Sequence, residues 1–223
     1  MSSNSIPTAV TLIVVAVTIC RCDRTIACGQ PGTDLQQPLS SRFDHKAGTM
    51  DELIDTYLDV YEQTQGVLPG RLEELGATYR EQGHLTRDQL YDLAYENSTR
   101  SAYHVESNPP DRCREVTANV RTVEGDFSQI QLLTGLSGFK APTASAVLTA
   151  LDPTRHAVVD TRVWASLDRL DYLNGRKESF DAADYVAMIE PIRSIAVESG
   201  YTPAEVGYAL FAYDEDVREG TLH

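Results

Sequence analysis

The sequence predicts an all-α protein, on three observations. From Met50 onward apolar residues recur three or four apart, the spacing of one helix face. The gaps between these runs carry helix caps, Gly and Pro. Only Ala157-Val158-Val159 reads as a strand, and it is too short to build a sheet.

The elements follow in order. Leu53, Ile54, Tyr57, Leu58 and Tyr61 lie on one face of a first helix, and Leu68-Pro69-Gly70 breaks the chain after it. Leu72, Leu75 and Tyr79 mark a second helix that Gly83 ends. Thr86 caps a third, running through Leu90, Leu93 and Ala94. Asn108-Pro109-Pro110 is a loop, and Arg114 to Val123 reads as a helix. Phe127 to Thr134 is helical, Gly135 to Ala141 is a turn, and Pro142 to Leu151 is a helix of small apolar residues. Asp152 to His156 is a Pro-bearing loop, and Asp160 stands where it caps the helix opened by Thr161. Asn174-Gly175 marks a turn. Asp181 to Ser199 is a long helix disturbed at Pro191. Thr202-Pro203-Ala204-Glu205 is a capping box that opens a last helix carrying Val206, Leu210, Phe211 and Tyr213. The total is about nine helices, with no internal repeat.

Residues 1–49 differ from the body, residues 50–223. Ala9 to Cys20 is an apolar run of twelve, short for a bilayer, and no Lys or Arg precedes it. Cys20, Cys22 and Cys28 match no common zinc spacing, and Gly29 to Ser41 reads as linker. We read residues 1–49 as an appendage, disordered or arising from a misassigned start; a membrane anchor or signal is the alternative. Cys113 is the only cysteine of the body, so neither a disulfide framework nor an iron–sulfur cluster is expected there.

The 223-residue chain has a formal charge of -14, and the body holds 30 of its 33 acidic residues. Lys occurs only at 46, 140 and 177. This balance argues against a conventional basic nucleic-acid binder. It suits a halophile-like protein in a salty cytoplasm, where counterion release adds less to DNA binding. Charge alone favours a plain acidic soluble protein.

The stretch from Leu136 to Trp164 carries the chemistry. Leu136-Ser137-Gly138-Phe139-Lys140-Ala141-Pro142-Thr143-Ala144-Ser145-Ala146-Val147-Leu148 is followed by the Pro-bearing loop and then Val159-Asp160-Thr161-Arg162. A Gly turn before a helix presents N–H groups to phosphate, and the small residues permit close approach of a helix or a nucleic-acid backbone.

This order resembles the helix-hairpin-helix (HhH-GPD) superfamily of DNA glycosylases, of the endonuclease III type. Its stretch reads roughly Leu-Pro-Gly-Val-Gly-x-Lys-Thr-Ala-x-x-Val-Leu, a Pro-bearing loop, then Val-Asp-Thr-His. The resemblance implies a helix-hairpin-helix glycosylase-like bundle, with the hairpin at 127–151 and the Asp loop at 152–160. It implies DNA as partner and a catalytic role for Asp160, whose charge would stabilise the sugar cation or orient the attacking water. It places Gly135, Gly138, Lys140, Thr143 and Arg162 against the DNA backbone. Two positions depart from the pattern: Pro142 stands at the Schiff-base lysine position of bifunctional members, and Lys140 replaces the second hairpin glycine. No lysine nucleophile carries over. A monovalent cation at the hairpin fits the resemblance; no other cofactor and no metal site are expected.

Plainer readings stand beside these. Asp160 is a structural cap in either case. His156 reads as inert, and His84 and His104 have no partner at metal spacing. Tyr91, Tyr95 and Tyr103 offer a stacking face for an extruded base, but tyrosines at helical spacing read first as core. Trp164 reads as packed under the hairpin. Asn97-Ser98-Thr99 fits a glycosylation sequon, and Asp214-Glu215-Asp216 reads as a solvated face. The 85 or so residues ahead of the hairpin are few for the family, and no wedge residue stands out.

Three functions are therefore weighed: a monofunctional DNA base glycosylase of base-excision repair, a DNA-binding module without chemistry, and a protein-interaction module reusing the fold. In each case a cytoplasmic monomer that does not engage a membrane is expected.

Overall fold

A computed structural model describes residues 49–65, 67–97 and 102–218. The appendage expected over residues 1–49, apart from Thr49, lies outside the described residues. So does most of the Asn97-Ser98-Thr99 sequon.

Nine α-helices fall wholly among the described residues: α1 (Met50–Gln65), α2 (Val67–Gln82), α3 (Arg87–Asn97), α4 (Pro110–Asn119), α5 (Asp126–Thr134), α6 (Ala141–Leu151), α7 (Thr161–Arg169), α8 (Ala182–Ser199) and α9 (Pro203–Val217). Single 3-10 turns at Val105–Ser107 and Val120–Thr122 flank α4. No strand occurs among the described residues; Ala157 to Val159 form part of a loop.

The helix ends follow from local chemistry. Thr86 and Gln89 cap α3 reciprocally, Gln89 N–H to Thr86 Oγ1 at 3.3 Å and Thr86 N–H to Gln89 Oε1 at 2.8 Å. Asp181 with Asp184 caps α8, and Thr202 with Glu205 caps α9. Gly83 and Gly200 take left-handed angles just past α2 and α8. Two expectations are corrected. The break placed at Leu68-Pro69-Gly70 is not there: α2 already runs from Val67, because proline lacks an N–H that the first helical turn leaves unused anyway. The helix expected from Arg114 begins at Pro110, for the same reason.

The helices form two groups. In the first, α6 is the centre, with every residue from Thr143 to Leu151 buried. α2, α3 and α5 pack around it. Gly76 of α2 meets it so closely that a Cβ there would stand 2.2 Å from the Ala150 carbonyl oxygen. The small side chains of α6 therefore admit a helix. In the second group α1 lies along α9, and α7 and α8 flank α9. Tyr57 of α1 meets Tyr213 edge-on at 5.1 Å and donates to Asp216 at 2.9 Å. α5 and α6 pack on α8 and join the groups.

Candidate active site and nucleic-acid interface

The hairpin is α5, a turn over residues 135–140, and α6. Leu136 and Phe139 are buried and pin the turn to the core. Gly138 has φ +85°, a left-handed angle that disfavours any side chain. Gly135, at φ -68°, needs no such freedom. The turn is also held from outside. Buried Asn108 clamps the Ser137 peptide on both sides: its Nδ2 donates to the Ser137 carbonyl and its Oδ1 accepts from the Ser137 N–H, each at 2.9 Å. Arg112 donates to the Gly135 carbonyl at 3.2 Å.

Lys140 is the N-cap of α6, exposed, with no side-chain capping bond. Its ammonium therefore faces water beside the start of a helix, where an anion is stabilised. Thr143 lies one turn in and is buried.

Ser145 joins the hairpin to the Asp loop. Its hydroxyl donates to the Pro142 carbonyl at 2.8 Å and accepts from the buried Val159 N–H at 2.9 Å. Residue 142, the position matched to the family lysine, is thereby tied to the residue just before Asp160. Nothing at Pro142 supplies a nucleophile.

The loop is braced below by a buried network. Arg193 of α8 grips Asp126 with two bonds at 2.6 and 2.9 Å, and its Nε donates to the Arg155 carbonyl at 2.9 Å. His156, 3 % exposed, shares a hydrogen bond with the Tyr185 hydroxyl at 2.9 Å and stands 3.9 Å from Asp126. Burial pushes the His156 imidazole down to about 4, so it is a neutral strut of the loop. Burial pushes the Asp126 carboxyl up, but the Arg193 bonds outweigh it and hold it below the ordinary range.

Asp160 caps α7, accepting from the Arg162 N–H at 2.7 Å. It is half-buried. Burial raises its carboxyl; the N–H groups of Arg162 and Thr161 and the Arg162 charge pull against that, and Asp214 adds to it. The net shift is upward, so the group is a better proton acceptor than an ordinary aspartate.

Beside it lies an aromatic group from α1 and α9 that the sequence reading missed. Tyr61 stacks on Tyr208 at 4.9 Å and meets Phe211 edge-on at 5.6 Å. Burial, then Tyr208, Asp160 and Glu215, raise the Tyr61 hydroxyl, which puts that hydroxyl within electrostatic reach of Asp160. Arg162 does not extend outward. Its guanidinium lies 5.1 Å over the Phe211 ring and 3.3 Å from Glu215.

Two readings are corrected here, and Trp164 gains a set of contacts. Asp214-Glu215-Asp216 is a solvated face only in part: Glu215 is exposed, but Asp214 is not. Asp214 is fully buried between Arg169 and Arg218, Glu215 pairs with Arg162, and Asp216 accepts from Tyr57. The end of α9 lies between α1 and α7, which supply those partners except Arg218, the residue that ends α9 itself. Tyr95 and Tyr103 are not core; they are 52 and 59 % exposed, Tyr95 stacking along α3 on Tyr91. Trp164 contacts the segment after α7: its indole N–H donates to the Gly175 carbonyl at 2.8 Å and its ring meets Phe180.

Among the described residues no cluster of His, Cys, Asp or Glu has the arrangement of a metal site, and no helix is long and apolar enough to cross a membrane.

No family model and no curated protein matches the chain. Among solved structures it is similar to the 8-oxoguanine DNA glycosylase of Thermotoga maritima, at 17% identity and a TM-score of 0.49 over 74% of this chain and 97% of that one. It is also similar to an 8-oxoguanine glycosylase/lyase of Methanocaldococcus jannaschii solved with a 15mer DNA containing 8-oxoguanine, at 14% identity and a TM-score of 0.43 over 79% of this chain and 86% of that one.

Proposed function

We propose that the chain binds DNA through the hairpin turn and removes a base at Asp160, as a monofunctional DNA N-glycosylase of base-excision repair. The observation that carries this is the Ser145 bridge, which sets a half-buried carboxylate of raised proton affinity beside the start of the hairpin's second helix. Such a carboxylate suits the chemistry. As the bond from C1′ to the base breaks, positive charge grows on the sugar and Asp160 stabilises it. Water adds its oxygen to C1′ and passes a proton to the carboxylate, and the base leaves with the electron pair. The neighbouring Tyr208 and Phe211, partly exposed over buried Tyr61, supply a surface for an extruded base.

Pro142 favours a second reading, a DNA-binding module without chemistry, because the lysine position carries no nucleophile. The test uses duplexes containing uracil, hypoxanthine, 8-oxoguanine or 3-methyladenine, in low and multimolar KCl, followed by alkali. Strand breaks made by the wild type and lost in Asp160→Asn, with binding retained, are the expected result. Binding without breaks in any duplex selects the second reading. Neither binding nor breaks would leave the hairpin as architecture in a protein-interaction module.

A further inference from the structure

The chain opens a cleft beside Asp160, of about 450 Å³, between α7, the segment after it and the end of α9. Thr161, the residue after Asp160, is part of its wall. Among the described residues the charged groups lining it are Arg169, Arg176, Lys177, Arg218 and Asp168, four cations to one carboxylate. In a chain with 19 basic and 33 acidic residues that ratio is inverted. Among the described residues no aromatic ring lines the cleft.

The cations are held in place. Asp214, fully buried behind the wall, is shared by Arg169 and Arg218, so one carboxylate holds two guanidinium groups at the cleft. The Asn174-Gly175 turn is fastened to α7 on both sides. Gly175 N–H donates to Asp168 at 2.7 Å, which occupies the one carboxylate of the wall, and the Gly175 carbonyl accepts from Trp164 at 2.8 Å. The next two residues are thereby positioned. Lys177 is fixed by Asp184 and lies 5.5 Å over the Trp164 ring. Arg176 is 62 % exposed and only 3.6 Å from an equally exposed Glu178, a pair weak enough for a better anion to displace.

We propose that this cleft is a second phosphate site, taking a backbone phosphate of the DNA strand next to the nucleotide presented to Asp160. Guanidinium forks pre-positioned around an open polar cleft match a phosphodiester's oxygens. The inference rests on the DNA-binding reading above.

The test is fluorescence anisotropy of a labelled duplex over a KCl series, with the full chain. Each lost phosphate contact lowers the magnitude of the slope of log K against log[KCl] by roughly 0.9. Arg176→Gln, an exposed change, is expected to lower it by about that much. Arg176→Gln with Lys177→Gln is expected to lower it by roughly twice as much, and Arg80→Gln on α2 to leave it unchanged. A slope that falls for Lys140→Gln but not for either cleft variant overturns the cleft site and leaves the DNA reading standing. Inorganic phosphate titrated against the Arg side-chain NMR signals separates the sources: a shift at Arg176 with an unchanged DNA slope assigns the cleft to the free ion and also overturns the inference. A wild type that binds no duplex at any salt removes the proposed function, and the cleft proposal with it.

Discussion

The Val159 backbone N–H donates to the Ser145 hydroxyl at 2.9 Å, and this bond, buried and spanning fourteen residues, registers the Asp loop on the hairpin. Ser145→Ala leaves a buried N–H without its partner, a loss of about 1–3 kcal/mol. Because the same hydroxyl serves the residue before Asp160, base removal should fall further than DNA affinity. Urea denaturation read beside single-turnover kinetics checks both; equal losses in affinity and turnover would detach Ser145 from the placing of Asp160.

Asn108 does for the hairpin turn what Ser145 does for the aspartate. Its amide satisfies both polar groups of the Ser137 peptide, so Asn108→Ala frees the turn while leaving Lys140 and Gly138 in the chain. DNA affinity should weaken with the salt slope nearly unchanged, since no charge is removed. Gly138→Ala should act on the same turn by a different route. At φ +85° an alanine costs about 1–2 kcal/mol, and thermal melting should show it whether or not DNA is present.

Much of this was legible in the sequence, and the failures share a cause. Caps such as Thr86, Asp160 and Thr202 announce themselves because their partners lie two or three residues away. Asn108 gave no such sign, since its partner is 29 residues on. Asp214 to Asp216 misled for the same reason. Their partners at Arg169, Arg162 and Tyr57 sit on other helices, and a run of charge looks wholly solvated until those helices supply its partners and bury Asp214. The aromatic group by Asp160 joins the first helix to the last, a contact that periodicity along either helix does not contain.

The His156 network makes the protein acid-sensitive. Burial lowers the His156 imidazole from 6.5 to about 4, so the fold favours its neutral form. That contribution is fully present above pH 6.5 and is lost as pH falls toward about 4, reaching roughly 3 kcal/mol at most. Asp126, held below the ordinary carboxylate range, adds stability that disappears at still lower pH, as it takes up a proton. Urea midpoints measured between pH 7 and pH 4 should fall more steeply in the wild type than in His156→Gln, which has no imidazole to charge. Parallel curves would show that His156 does not carry this sensitivity.

Arg162 provides the sharpest contrast with Lys140. Both were expected at the DNA backbone, but the Arg162 guanidinium is shared between Glu215 and the Phe211 ring, whereas Lys140 faces water at the head of α6. Arg162→Gln should therefore lower the DNA salt slope by well under one phosphate contact, while Lys140→Gln lowers it by roughly 0.9. The arginine change should act at Asp160 instead. Without the nearby cation the carboxyl, already raised by burial, rises further, and the pH below which base removal fails should move up. The pH–rate profile of Arg162→Gln measures that displacement. An unshifted profile together with a full one-contact loss of slope would return Arg162 to the backbone.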